Sequence, residues 1–153
     1  MTLPRRLVAL LMLAALAACA PRLAPPGPGP AAPAFTDRAF LTADGLALPL
    51  RRWLPEGPPR GVVLALHGFN DYAKAFDAVP GAVDGTGPFL AARGFAVYAY
   101  DQRGFGAAPH AGLWPGRAAL VGDARDAAAV VRRMHPGLPV YGLGESMGGA
   151  VLM

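Results

Sequence analysis

The sequence predicts an α/β fold, a mostly parallel sheet preceded by an N-terminal β-hairpin. Short continuous apolar runs at residues 62–66, 95–100 and 140–143 read as strands buried on both faces. Between the last two, Leu120, Ala124, Ala127, Ala128, Val131 and Met134 form an apolar stripe at helical spacing. Asp44-Gly45, between runs 40–42 and 46–53, is a turn pair that favours a hairpin. Strands alternating with helices imply parallel pairing at the centre of the sheet.

The N-terminus reads as an address. Arg5 and Arg6 precede an apolar run over residues 7–18, the layout of a secretory signal. A membrane span needs about 20 residues, more than this run supplies. Residues 20–34 carry Pro21, Pro25, Pro26, Pro28, Pro30 and Pro33 among alanine and glycine. Such a tract builds no core and favours extended polyproline conformations, so it reads as a tether. The folded part follows from residue 35. After the hairpin comes the 62–66 strand, then a short helix through residues 89–92 that stops at Gly94, then the 95–100 strand. The striped helix exposes Arg125, Asp126, Arg132 and Arg133 and ends at Pro136-Gly137; the 140–143 strand and a helix from Met147 complete the chain.

Composition excludes several classes. The 153 residues allow one domain, and 54% hydrophobic against 16% charged excludes disorder of the whole chain. The net charge of +4 includes Arg5, Arg6 and Arg22 at the extreme N-terminus, which leaves no basic stripe for nucleic acid. One cysteine, Cys19, excludes a disulfide framework and a cysteine-rich metal site, and no cofactor is implied. The chain also holds a single serine, Ser146.

That serine lies in Gly144-Glu145-Ser146-Met147-Gly148, a G-x-S-x-G between a strand and a helix. A nucleophile elbow needs this context: the serine stands on a strained turn, and side chains at Gly144 or Gly148 would meet neighbouring backbone. His67-Gly68-Phe69 follows the first apolar strand. An oxyanion requires one backbone donor after the nucleophile and one from this earlier loop, positions held by Met147 N–H and Phe69 N–H. His67 reads as a loop pin, not a base. Asp101-Gln102-Arg103-Gly104-Phe105-Gly106 follows the next strand and taken alone is a polar turn with an Asp–Arg pair.

Together and in this order, the three motifs resemble the α/β-hydrolase fold, and within it the monoglyceride lipase and lysophospholipase branch, also called serine aminopeptidase-like. That branch shows H-G-x, D-x-R-G-x-G and G-x-S-M-G-G, here His67 to Phe69, Asp101 to Gly106 and Gly144 to Gly149. Glu145 replaces a histidine found in many members. The resemblance covers residues 38 to 153 and implies a serine carboxylester hydrolase acting on monoacylglycerol, lysophospholipid or a similar acyl ester through an acyl-enzyme. Leu16-Ala17-Ala18-Cys19 in turn resembles the bacterial lipobox, which implies cleavage before Cys19 and its lipidation. Ala20 after the cysteine points by the same resemblance to the outer membrane, facing the periplasm. The alternative is a soluble secreted protein cut after residues 15–17. The chain thus divides into a lipoprotein signal, 1–18; an anchor and proline-rich tether, 19–34; and the α/β-hydrolase part, 35–153.

In that fold the triad runs Ser, then Asp or Glu, then His. His67, His110 and His135 all precede Ser146, and His110 as base would break the order. The expectation is an α/β-hydrolase sheet truncated after the nucleophile elbow: the N-terminal half of an enzyme, inactive alone, with an unpaired sheet edge at the 140–143 strand. Two other classes compete. A non-catalytic lipoprotein would keep the fold as a binding module. A nucleotide-binding oxidoreductase would use Gly142, Gly144 and Gly148 as a dinucleotide turn, but that turn belongs after the first strand of its domain with an acidic residue about 20 positions on.

Overall fold

The computed structural model describes residues 23–77 and 85–153, besides positions 4 and 12. The expected signal 1–18 otherwise lies outside the described residues, as does Cys19. Six strands form one sheet in the order β1-β2-β3-β5-β4-β6. They are β1 (Ala34–Phe35), β2 (Ala39–Leu41), β3 (Ala47–Trp53), β4 (Gly61–Leu66), β5 (Phe95–Tyr100) and β6 (Val140–Gly144). Helix α1 (Thr86–Ala91) links β4 to β5, α2 (Arg117–Met134) links β5 to β6, and α3 (Met147–Leu152) follows β6. β1 to β3 are antiparallel and join β5 antiparallel, whereas β5, β4 and β6 run parallel.

The hairpin forms where Asp44-Gly45 predicts it. Leu41 stands opposite Ala47, and Gly45 takes φ 84, the left-handed conformation glycine adopts without strain. β4 is buried along its whole length, and its alternation divides the core in two. Val62, Leu64 and Leu66 pack with Phe40, Leu48, Tyr98 and Tyr100 beneath the Leu120, Ala124, Ala127 and Val131 stripe of α2. Val63 and Ala65 pack with Val97, Ala99, Ala73 and Phe76 on the other face, where Leu90 of α1 joins them. Each large aliphatic side chain so buried contributes about 1.5–3 kcal/mol.

Four expectations change. β1 is an additional two-residue strand, pairing Phe35 with Phe40 and adding an aromatic edge contact between them. β6 is the edge strand, as expected, but it is not buried on both faces, and Tyr141 is 52% exposed. Its apolar residues mark a strand with one neighbour, β4, among the described residues. Residues 23–33 are not a free tether. Gly27 N–H donates to the Asp44 carboxylate at 2.7 Å, Gly29 N–H to Asp44 O at 3.0 Å and Ala31 N–H to Ala43 O at 2.8 Å. Further back, Ala24 N–H donates to Trp114 O at 2.9 Å, so the segment is a strap along the hairpin turn. Proline tolerates this geometry because the strap bonds through its non-proline residues.

Finally, Asp101 and Arg103 do not pair. Asp101 accepts from Ala73 N–H at 2.9 Å and Ala107 N–H at 2.8 Å, closing its own loop. The Arg103 guanidinium lies buried between two other carboxylates. It donates to Asp123 at 3.0 and 2.8 Å and to Asp44 at 2.6 and 2.8 Å. The Arg103 hydrogen bonds hold the Asp44 carboxyl well below the usual carboxylate range, while burial pushes Asp123 upward. Removing one partner from such a cluster leaves an uncompensated buried charge. Arg103→Met is therefore expected to cost about 3–5 kcal/mol, read from urea unfolding of the two proteins. A loss below 1 kcal/mol, on the scale of exposed pairs, would show that Asp123 is relieved by other means.

Candidate active site

The site forms where the ends of two adjacent parallel strands, β4 and β6, meet. Ser146 caps α3 with φ 47 and ψ −113, a backbone conformation that non-glycine residues rarely adopt. Strain of this kind costs about 1–3 kcal/mol and persists only where the surroundings enforce it. Two hydrogen bonds and two close backbone approaches enforce it here. Glu145 N–H donates to Leu66 O at 3.0 Å, and Gly148 N–H donates back to Glu145 O at 2.8 Å. A Cβ on Gly148 would fall on Leu66 O, and one on Gly144 would fall on the Gly149 backbone. Both glycines are thus required by close backbone approach, and the turn leaves Ser146 exposed at its apex.

The 67–69 loop lies against this turn. A Cβ on Gly68 would sit 3.6 Å from the Ser146 Cβ, which places the loop backbone at the serine side chain. Neither Phe69 N–H nor Met147 N–H has a backbone acceptor among the described residues. Met147 opens α3, so its amide is one of those a helix leaves unpaired. Phe69 itself points outward, 67% exposed, with its ring edge-on to Phe105 at 5.4 Å.

His67 is fully buried. Its Nε2 accepts the Gln102 backbone N–H at 2.9 Å, so Nδ1 must carry the proton and donate to Gly68 O at 2.8 Å. The Gln102 side chain returns a bond to His67 O at 2.7 Å. Both imidazole nitrogens are committed, and the ring locks the 67–69 loop to the 101–106 loop. Burial pushes its pKa down from the ordinary value. The other histidines are elsewhere. His135 bonds the Tyr98 hydroxyl at 2.8 Å from the end of α2, and His110 is exposed in the loop before α2.

The 101–106 loop completes one wall. Gly104, at φ 82, has no room for a Cβ because Leu113 O occupies that place. Phe69, Phe105, Leu113 and Trp114 line a cavity of about 260 Å³, and Trp114 and Met147 share a second of about 230 Å³. Sequence reading missed Asp44, Asp123, Gln102 and Trp114 as parts of this framework. Asp123 was detectable: it lies on the stripe of α2, three residues after Leu120, where an unpaired charge has no place. No local pattern marks the other three. The glycine-turn alternative disagrees with the topology, since this turn follows the sixth strand.

A family model described as serine aminopeptidase, S33, matches residues 57–153. A monoacylglycerol lipase from Mycolicibacterium smegmatis is 30% identical over 118 residues, covering 76% of this chain and 40% of the relative. The human monoglyceride lipase is 30% identical over 119 residues, covering 73% and 35% respectively. The chain thus spans well under half the length of these relatives. Among solved structures, a thermostable carboxyl esterase from Bacillus coagulans superposes with a TM-score of 0.60 at 26% identity. That match covers 77% of this chain and 38% of the esterase, and it shows the α/β-hydrolase fold.

The buried imidazole makes a pH prediction. In the unfolded chain His67 takes up a proton near its ordinary pKa of about 6.5, whereas the folded state resists it. Its contribution to stability is therefore full above about pH 6.5 and falls as pH drops toward the lowered folded value. His67→Gln is expected to flatten that part of the stability–pH curve, measured by urea unfolding between about pH 7.5 and 5. An unchanged slope would mean that the imidazole protonates equally well in the folded state.

Proposed function

The chain belongs to the serine aminopeptidase, S33, family, and from that membership we propose that its full-length form is a serine carboxylester hydrolase acting on monoacylglycerol, lysophospholipid or a similar acyl ester. The observation that carries this reading is the strained Ser146, exposed between two glycines that close backbone contacts require. Ser146 Oγ attacks the ester carbonyl carbon, and the carbonyl oxygen takes the negative charge in reach of Met147 N–H and Phe69 N–H. Collapse of this intermediate expels the alcohol and leaves the acyl group on Ser146; water then releases the acid and restores the serine.

The hydroxyl proton needs a base. His67 has no free nitrogen, and His135 is engaged by Tyr98 at the opposite end of the sheet. His110 makes no hydrogen bond to Ser146. We place the base and its carboxylate partner in the part of the full-length protein that this chain does not span, and regard the 153 residues alone as inactive. A lipid at Cys19 is the anchor we propose, with the protein at the outer membrane facing the periplasm. No helix among the described residues is long and apolar enough to cross a membrane.

Two measurements test these readings. In the full-length protein, Ser146→Ala is expected to abolish hydrolysis of short-chain acyl esters and labelling by a fluorophosphonate while circular dichroism stays unchanged. Phe69→Ala retains the backbone donor and is expected to cost far less than Phe69→Pro, because losing one oxyanion donor costs about 2.7–4 kcal/mol. Full activity in Ser146→Ala would end the serine-hydrolase reading. For the anchor, Cys19→Ser is expected to move the protein from the membrane fraction to the soluble one; equal partitioning of both forms would leave soluble secretion.

A further inference from the structure

We propose that the docked strap, residues 23–33, is a positioning element of the active site: it grips the hairpin turn and the 104–114 loop at once and so holds the Phe69 N–H in place against Ser146. The inference rests on the serine-hydrolase reading above. The strap takes two separate grips. At its start Leu23 forms a parallel bridge with Trp114, and Ala24 N–H donates to Trp114 O at 2.9 Å. Further on, Gly27 N–H donates at 2.7 Å to the Asp44 carboxylate. A Cβ on Gly27 would fall on Asp44 O, so the strap crosses the turn at a distance that only glycine permits. At the far end Pro33 O accepts from the Arg133 guanidinium at 2.8 Å. Proline suits such an element: it narrows the conformations open to the undocked strap, so ordering it costs less entropy.

Both grips lead to the same loop. From Trp114 the path is aromatic. Its ring stands edge-on to buried Phe105 with 6.4 Å between centroids, and Phe105 stands edge-on to Phe69 at 5.4 Å and to His67 at 5.9 Å. From Asp44 the path is polar. Its carboxylate accepts from Arg103 at 2.6 and 2.8 Å, and the Gln102 N–H next to Arg103 donates to His67 Nε2 at 2.9 Å. His67 Nδ1 then donates to Gly68 O at 2.8 Å. The two paths are tied together where Gly112 N–H donates to Gly104 O at 2.9 Å. Gly68 and Phe69 are thus held from two directions, and each direction begins at the strap. Placement of the Phe69 amide governs the rate, because a displacement of about 1 Å caused far from the chemistry can cost about 10²-fold.

The test uses the full-length protein with Ala24→Pro, which removes the bond to Trp114, and Gly27→Val, which lifts the strap from Asp44. Hydrogen exchange followed by mass spectrometry is expected to show residues 67–70 and 104–114 exchanging faster in both variants. Ala24→Gly keeps the donor and should exchange as the parent does. Parent-like exchange over residues 67–70 in variants whose strap amides have lost protection would overturn the proposal, as would a strap that exchanges freely in the parent. This readout needs no turnover, so it stands apart from the serine-hydrolase reading, which Ser146→Ala tests. On short-chain acyl esters, kcat per fluorophosphonate-titrated site is expected to fall about tenfold with KM unchanged, since an oxyanion donor acts in the transition state. Simple destabilisation would lower the number of titrated sites and leave the rate at each one alone. With Phe69→Pro in place the strap substitutions should cost nothing further, because the amide they act through is gone. An unchanged kcat, or an equal further loss in the Phe69→Pro background, would place the strap's effect elsewhere and sink the proposal.

Discussion

One buried guanidinium fixes the relation between parts of the chain that are far apart in sequence. Arg103 joins the hairpin turn through Asp44, helix α2 through Asp123, and its own loop between β5 and α2. The same Asp44 carboxylate accepts Gly27 N–H, so the strap is held by the same charge. Two carboxylates against one cation leave this cluster short of positive charge, and the partly exposed Asp44 carries the excess more easily than buried Asp123. Such a cluster adds little net stability over apolar packing, but it is intolerant of missing members. Its contribution is register. The hairpin, the helix and the 101–106 loop have one mutual arrangement that satisfies all four hydrogen bonds.

From that loop the order passes to the site through His67. The Gln102 amide, one residue before Arg103, donates to the imidazole, and the imidazole donates to the carbonyl of Gly68. A neutral ring suits this task better than a charged one, since an imidazolium has no lone pair with which to accept the Gln102 N–H. Burial enforces the neutral state. Through this bridge the cluster at Arg103 sets the position of the Phe69 amide relative to Ser146.

Much of this was legible in the sequence. The apolar runs gave β4 and β5 because burial on both faces demands continuous hydrophobicity, and the three glycine-bearing motifs marked the turns where backbone approaches backbone. β6 carries similar residues and lies at the edge that was expected, yet it is not buried, because an apolar run alone does not say that both faces of a strand are covered. Proline content misled on residues 23–33. It excludes a core but not a docked strap, whose hydrogen bonds come from Ala24, Gly27, Gly29 and Ala31. The Asp101–Arg103 proximity in sequence misled for a related reason. Asp101 accepts from the Ala73 and Ala107 amides while Arg103 reaches Asp44 and Asp123, so each charge found its partners through contacts that sequence proximity does not predict.

The same distinction explains why the site was easier to read than its framework. The proposed oxyanion donors are main-chain amides, so their sequence signature is the glycines and the loop that aim them, not the residues that carry them. Met147 and Phe69 can vary without changing the donor, whereas Gly148 cannot, because Leu66 O occupies the place of its side chain. Asp44 illustrates the opposite case. Its place before Gly45 already makes it an ordinary turn residue, and nothing nearby announces a guanidinium from residue 103. A local requirement leaves a local pattern. A requirement met by residues far apart becomes visible only when folding brings them together, and here those residues hold the turn, the loop and the strap around one strained serine.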